Sequence, residues 1–211
     1  KHVEPLLLDS REKAADPEWV ARLREYEAIV LCGDSPARGL HVLQATAAAT
    51  ALREHVQAGR LLVGIDAGGA ILGSRLFPHE ADDGITVGLG LLPALLIDAG
   101  FSGSRRFSRL VRAMSAPEAA AMMGIGLDTR TAVLVSDGEA KVLGEATVTV
   151  LDPWERGTPS DERISAKIGS DVGSWSSLVG AGGGGGWLPF VLRPRANGER
   201  GLRSACRAAS H

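Results

Sequence analysis

The chain has 211 residues, 45% hydrophobic, 23% charged and only 4% aromatic, with a formal net charge of −2. This suits one sizeable hydrophobic core and excludes a disordered or collagen-like chain. The slightly acidic balance argues against a general nucleic-acid binder, and the scarcity of aromatic rings against a stacking platform for single-stranded bases. No apolar run reaches membrane-spanning length: the most apolar, Val87 to Ile97, is broken by glycine and proline. Cys32 and Cys206 lie too far apart for a disulfide framework or a metal-ligand spacing. A reducing cytoplasm is therefore the default location, and no metal or cofactor is expected. The segment after Lys1 has neither signal-peptide nor transit-peptide character, and it reads as starting inside a longer gene product.

In chain order, Val3 to Leu8 reads as a short buried strand. Asp16 then caps a helix with Pro17 at its first position, and Trp19, Val20 and Leu23 follow at helical spacing. Ala28 to Leu31 is a second strand, ending in the loop Cys32-Gly33-Asp34-Ser35. Residues 40–58 read as the strongest helix, stopped at Gly59. Leu61 to Gly64 is a third strand, running into Ile65-Asp66-Ala67-Gly68-Gly69 and a helical start. Further on come Leu91 to Ile97, an arginine-rich turn and helix, and the run Gly124 to Val135. Lys141 to Gly144 and Thr147 to Leu151 read as a terminal hairpin. Strands apolar throughout, alternating with helices, predict an α/β fold: a mostly parallel sheet with helices on both faces. The α/β core is placed at residues 1–151. A flexible insertion rich in glycine, serine and charge follows at 152–186 and ends in five glycines. Residues 187–211 hold a last strand and a basic tail.

In an open parallel sheet, ligands bind at the carboxyl ends of the strands, which singles out the loops 32–35 and 64–69. The second has the form of a nucleophile elbow: small residues flank one polar side chain at a sharp strand-to-helix turn. Acyl transfer would call for serine or cysteine there, with histidine in reach. The residue present is Asp66.

These loops resemble those of the serine peptidase family of cyanophycinase and peptidase E. Gly64-Ile65-Asp66-Ala67-Gly68-Gly69 is similar to the family's Gly-Thr-Ser-Ala-Gly-Ala, and Cys32-Gly33-Asp34-Ser35 to its Gly-Gly-(Asp/Asn)-Gln. Gly88-Leu89-Gly90-Leu91-Leu92-Pro93 resembles Gly-x-Gly-Leu-Leu-Pro of the cyanophycinase branch. Asp98-Ala99-Gly100-Phe101 stands where that branch has Asp-Gln-His-Phe, followed by Arg106 and Arg109 of its spaced arginines. Gly124 to Asp128, Thr131-Ala132 and Val142 to Gly144 continue the likeness, which runs in order from about Val3 to Asp152.

The resemblance implies a class I glutamine-amidotransferase-like fold whose N-terminal strands are not found ahead of Val3. Either the sequence is a fragment, or a partner subunit or second copy in a homodimer completes the sheet, or a shortened sheet is tolerated. A missing segment or a partner is favoured over an exposed edge. It also implies departures at the chemistry. Asp66 takes the place of the nucleophilic serine, Gly100 of the catalytic histidine, Ser35 of the loop glutamine and Ser104 of the first spaced arginine. The family's acidic partner falls in the region of Glu80, Asp82 and Asp83. Losing nucleophile and base together removes the serine-hydrolase route. The implied protein is a noncatalytic subunit or a pseudoenzyme that binds an Asp/Arg-containing peptide through Ser35, Asp34, Asp98, Arg106 and Arg109. The alternative is a repurposed enzyme using Asp66 for acyl chemistry on such a peptide.

Each residue also has a plainer reading. Asp66 suits a helix cap. His79 with Glu80, Asp82 and Asp83 suits a solvated loop rather than a base or metal site, and His41 and His55 are too far apart to cooperate. Arg105, Arg106, Arg109 and Arg112 suit either carboxylate recognition or a solvated helix face. Cys32 suits a small buried side chain. The five glycines lack the lysine and hydroxyl residue of a phosphate loop.

Overall fold

The computed structural model describes residues 3–79, 84–101, 106–119, 122–136, 139–152, 165–169 and 189–193. Its helices are α1 (Arg11–Ala15), α2 (Pro17–Glu25), α3 (Pro36–Leu43), α4 (Ala47–Gln57), α5 (Ala67–Ala70) and α6 (Arg106–Met114). Its strands are β1 (Ala28–Gly33), β2 (Leu61–Asp66), β3 (Gly73–Leu76), β4 (Thr86–Val87), β5 (Leu92–Ala99) and β6 (Met123–Leu127), then β7 (Thr131–Ser136), β8 (Glu139–Gly144), β9 (Val148–Asp152), β10 (Ser165–Gly169) and β11 (Pro189–Arg193).

The α/β class holds, but the strands form two mixed sheets instead of one mostly parallel sheet. One has the order β1-β2-β11-β7-β8, the other β10-β9-β6-β5-β3-β4. β1 and β2, β3 and β5, β5 and β6, and β11 and β7 pair in parallel. The other five pairings are antiparallel. β7 and β8 are antiparallel because only two residues separate them, too few for the crossover that parallel neighbours need. The other antiparallel pairs join strands distant in sequence or separated by longer connections. The 141–151 run is therefore no hairpin. β8 pairs with β7, while β9 crosses to the other sheet and lies between β6 and β10. Within the stretch read as an insertion, Ser165–Gly169 adds a strand beside β9; the pentaglycine lies outside the described residues. β11, the expected last strand, inserts between β2 and β7.

Two other expectations change. Residues 3–9 form no strand, since no ladder partner lies alongside them and an extended segment alone leaves its backbone groups unpaired. Leu6 and Leu8 pack on the core, whereas Val3 and Leu7 stay exposed. The 40–58 run is two helices, α3 and α4, broken at Ala45 (φ +59). Thr46 makes the break: its hydroxyl donates to the Leu43 carbonyl and accepts from the Ala49 N–H, ending one helix and capping the next. The Asp16 cap is as expected, with its carboxylate accepting from the Trp19 N–H at 2.8 Å.

β5 is buried on both faces. Leu95 and Ile97 join the large cluster with Leu62, Leu72, Ile125 and Val133, and Leu96 joins Phe101, Leu110 and Met114 beneath α6. That double burial fixes its register, with Asp98 to Gly100 at its carboxyl end.

His55 on α4 is 3% exposed, and its Nε2 lies 2.9 Å from the Leu61 carbonyl oxygen. Burial lowers its pKa from 6.5, the Leu61 hydrogen bond opposing this in part. The folded state thus holds the neutral ring, and the unfolded chain takes up the proton first as pH falls. Stability present above pH 6.5 is lost as the pH drops below it toward the lowered folded value. Denaturant unfolding at about pH 8 and about pH 5.5 should show the natural chain losing more stability on acidification than His55→Gln, which cannot titrate.

Candidate active site at the β2–α5 turn

β2 runs straight into the one-turn helix α5 with Asp66 at the corner, and Asp66 has φ +49 and ψ −117. A positive φ is costly for any residue but glycine and persists only where the surroundings enforce it. Here the enforcement is close backbone packing. A Cβ on Gly68 would sit 2.2 Å from the Leu31 carbonyl oxygen of β1, and one on Gly64 would sit 2.6 Å from Gly68 O. The turn can form only with glycine at both positions, which is the elbow geometry read from the sequence. The capping reading of Asp66 does not hold, because its carboxylate makes no cap hydrogen bond. At φ +49 the side chain is directed away from the α5 N–H groups that a capping residue in an extended conformation would reach.

Burial raises the Asp66 pKa, and the positive charge of Arg106 works against that rise. Asp66 is half-buried.

Arg106 comes from the start of α6. Its Nη1 donates to Asp98 Oδ1 at 2.9 Å and to the Ala99 carbonyl at 2.6 Å. Arg109, one turn on, donates from Nη2 to the same Oδ1 at 2.6 Å and from Nη1 to the His79 carbonyl at 3.2 Å. Its guanidinium lies 4.1 Å from the centre of the Phe77 ring. Asp98 and Arg109 are 3% and 5% exposed, so the charge cluster is internal. Asp98 Oδ2 has no hydrogen-bond partner among the described residues. Gly100, the residue after β5, has φ +69, and a Cβ there would lie 3.9 Å from the Arg106 guanidinium. The space beside Gly100 is therefore bounded by a cation.

The structure thus brings Asp66, Asp98, Gly100, Arg106 and Arg109 together. Ser35 and Asp34 stand at the neighbouring end of β1, paired through Gly33 with Asp66, but their side chains are engaged locally. Ser35 Oγ caps α3 by accepting from the Arg38 N–H, and Asp34 forms an exposed ion pair with Arg38 at 3.6 Å. Cys32 is exposed rather than buried, because β1 has a neighbour on one side only among the described residues. His41 is exposed on α3 and His55 buried on α4, as unconnected as expected. Arg112 is exposed, while Arg105, Ser104, Glu80, Asp82 and Asp83 lie outside the described residues. No cluster of three metal-ligating side chains exists among the described residues. No helix there is long and apolar enough to cross a membrane. Phe77 is the site residue that sequence reasoning missed. The available signal was an aromatic residue directly after a strand, in a chain with few aromatics.

The sequence profile of peptidase family S51 matches residues 6–143. A cyanophycinase from Synechococcus elongatus is 34% identical over 164 residues, which cover 72% of this chain and 50% of that protein. A cyanophycinase from Nostoc sp. is 31% identical over 175 residues, covering 78% of this chain and 58% of that protein. The chain thus spans about half the length of the first of these relatives. Among solved structures, a peptidase from an acI-B1 Actinobacterium superposes with a TM-score of 0.57 at 20% identity, over 74% of this chain and 63% of that one, a likeness of fold.

Two outcomes follow from the charges. Asp98→Ala removes the carboxylate that two guanidiniums share, one of them buried, and should cost about 3–5 kcal/mol in denaturant unfolding. Asp34→Ala breaks only an exposed pair and should cost far less. Because the Asp66 pKa is raised in the fold, the folded state binds that proton more tightly than the unfolded chain. The stability this gives is complete below the unfolded value of about 3.8 and is lost as pH rises through the folded value. Unfolding curves across the acid range should show Asp66→Asn gaining on the natural chain as the pH rises through that window.

Proposed function

The chain belongs to peptidase family S51, and we propose that within it this protein is a cyanophycinase-like pseudoenzyme. It binds an Asp/Arg-containing peptide, or serves as a noncatalytic subunit, without serine-peptidase turnover. The observation that carries this reading is the content of the elbow and of the strand end facing it. A carboxylate, Asp66, stands at the strained corner, and Gly100 has no side chain that could take a proton. If Asp66 attacked a peptide carbonyl it would form an anhydride, less stable than the amide it replaced, and no matched imidazole remains to activate water.

What the site keeps is recognition chemistry. Arg106, ordered by Asp98 and the more exposed of the two arginines, carries a guanidinium suited to a carboxylate-bearing peptide, with the buried Arg109 fixing Asp98 behind it. Among the described residues β1 is an edge strand with Val30 54% exposed, which supports further strands pairing there, from a missing segment of the same protein or from a second chain.

The test is hydrolysis of a β-Asp-Arg dipeptide and an Asp-X dipeptide by the purified chain and by an Asp66→Ser/Gly100→His variant. The natural chain should be silent and the variant should gain turnover. Cleavage by the natural chain would overturn the reading.

A further inference from the structure

Asp66 is a carboxylate held where a nucleophile is normally presented, and it is not otherwise employed. It makes no cap hydrogen bond, and no hydrogen bond to its side chain occurs among the described residues. Donors around a carboxylate stabilise its charge and blunt its reactivity, so a half-buried carboxylate without them is a better nucleophile than a solvated one. The strain at φ +49 is retained by the Gly64 and Gly68 packing although no serine uses it.

The electrophile that such a group can use is set by the stability of the product. Attack on an acyl carbon gives an anhydride, which lies uphill of an amide or ester. Attack on a saturated carbon bearing a leaving group gives an alkyl ester, which is stable. We propose that Asp66 is an alkyl acceptor, taking up a small unbranched electrophile with an sp3 reacting carbon such as a primary alkyl halide. This goes beyond the pseudoenzyme reading and rests on the elbow geometry alone. In the step, an Asp66 oxygen lone pair forms the new C–O bond while the carbon–halogen bond breaks. The halide leaves with the bonding pair beside the Arg106 guanidinium, whose charge offsets the anion, and no proton, oxidant or reductant is required.

The fate of the ester follows from its neighbours. Hydrolysis needs a water activated by a base, yet Gly100 offers no side chain. The nearby carboxylate, Asp98, already receives hydrogen bonds from both arginines. Among the described residues no side chain is thus placed to activate that water, so the adduct accumulates and the reaction stops after one event per chain.

The experiment uses the full chain with Cys32→Ser and Cys206→Ser, because Cys32 is an exposed competing thiol at the adjacent strand end. It is incubated with 1-bromobutane and followed by intact-mass spectrometry, bromide release and peptide mapping. The expected result is a gain of one butyl group per chain with an equal amount of bromide, mapped to Asp66 and removed by hydroxylamine as an ester should be. Asp66→Asn keeps the shape and tolerates positive φ, and it should lose the labelling entirely. No adduct, an adduct at another residue, or equal labelling of Asp66→Asn would each overturn the proposal. Peptide hydrolysis is read in a separate assay, so the two readings fail separately.

Discussion

The site depends on how closely backbone can approach backbone at α5. Its residues are Ala67, Gly68, Gly69 and Ala70, all buried and none with a side chain larger than methyl. With so little bulk, the helix packs directly on β1, β2, β3 and β5. Asp66 is forced to a positive φ as the geometric consequence. A larger residue at Gly68 would push α5 off the Leu31 carbonyl, relax the corner and separate the elbow from Asp98. The chain therefore keeps a strained and closely packed corner, a feature that costs stability and is generally retained for a function.

The second constraint is electrostatic. Burying Asp98 would be prohibitive alone, and two arginines one turn apart on α6 answer it with short hydrogen bonds to a single oxygen. Phe77 then receives the flat face of Arg109, and the His79 carbonyl holds its other nitrogen. Arg106 and Arg109 are thus not a solvated face. They form the internal counterpart of a strand-end carboxylate, with Arg106 the more accessible of the two.

This explains which parts were legible in the sequence. The strands β1 and β2 and the elbow could be read because they rest on local rules: apolar runs, glycines flanking one polar residue, and a turn too tight for a Cβ. The Asp16 cap was legible for the same reason. The break at Thr46 was hidden because alanine and leucine suit either side of it, and only the hydroxyl ahead of Ala47 marks it. The course of β9 and β11 was hidden because pairing across sheets is decided by tertiary packing, which no local pattern encodes. The exposure of Cys32 depends on what lies next to β1, and that is not a property of the residues around it.

Asp66 adds a negative charge beside Asp98, Arg106 and Arg109. Asp98, Arg106 and Arg109 alone carry a surplus of one positive charge, which would draw an acidic ligand. With Asp66 ionised the surplus is gone, and Arg106 is shared between a hydrogen-bonded carboxylate and a second one felt only through its charge. Protonating Asp66 restores the surplus, and burial favours that protonation while Arg106 opposes it. The serine that the resemblance places at this corner would carry no charge at ordinary pH. An aspartate at this corner therefore bears on what the site attracts as well as on its chemistry. When ionised, Asp66 disfavours a second carboxylate beside Arg106, and a neutral electrophile meets no such repulsion.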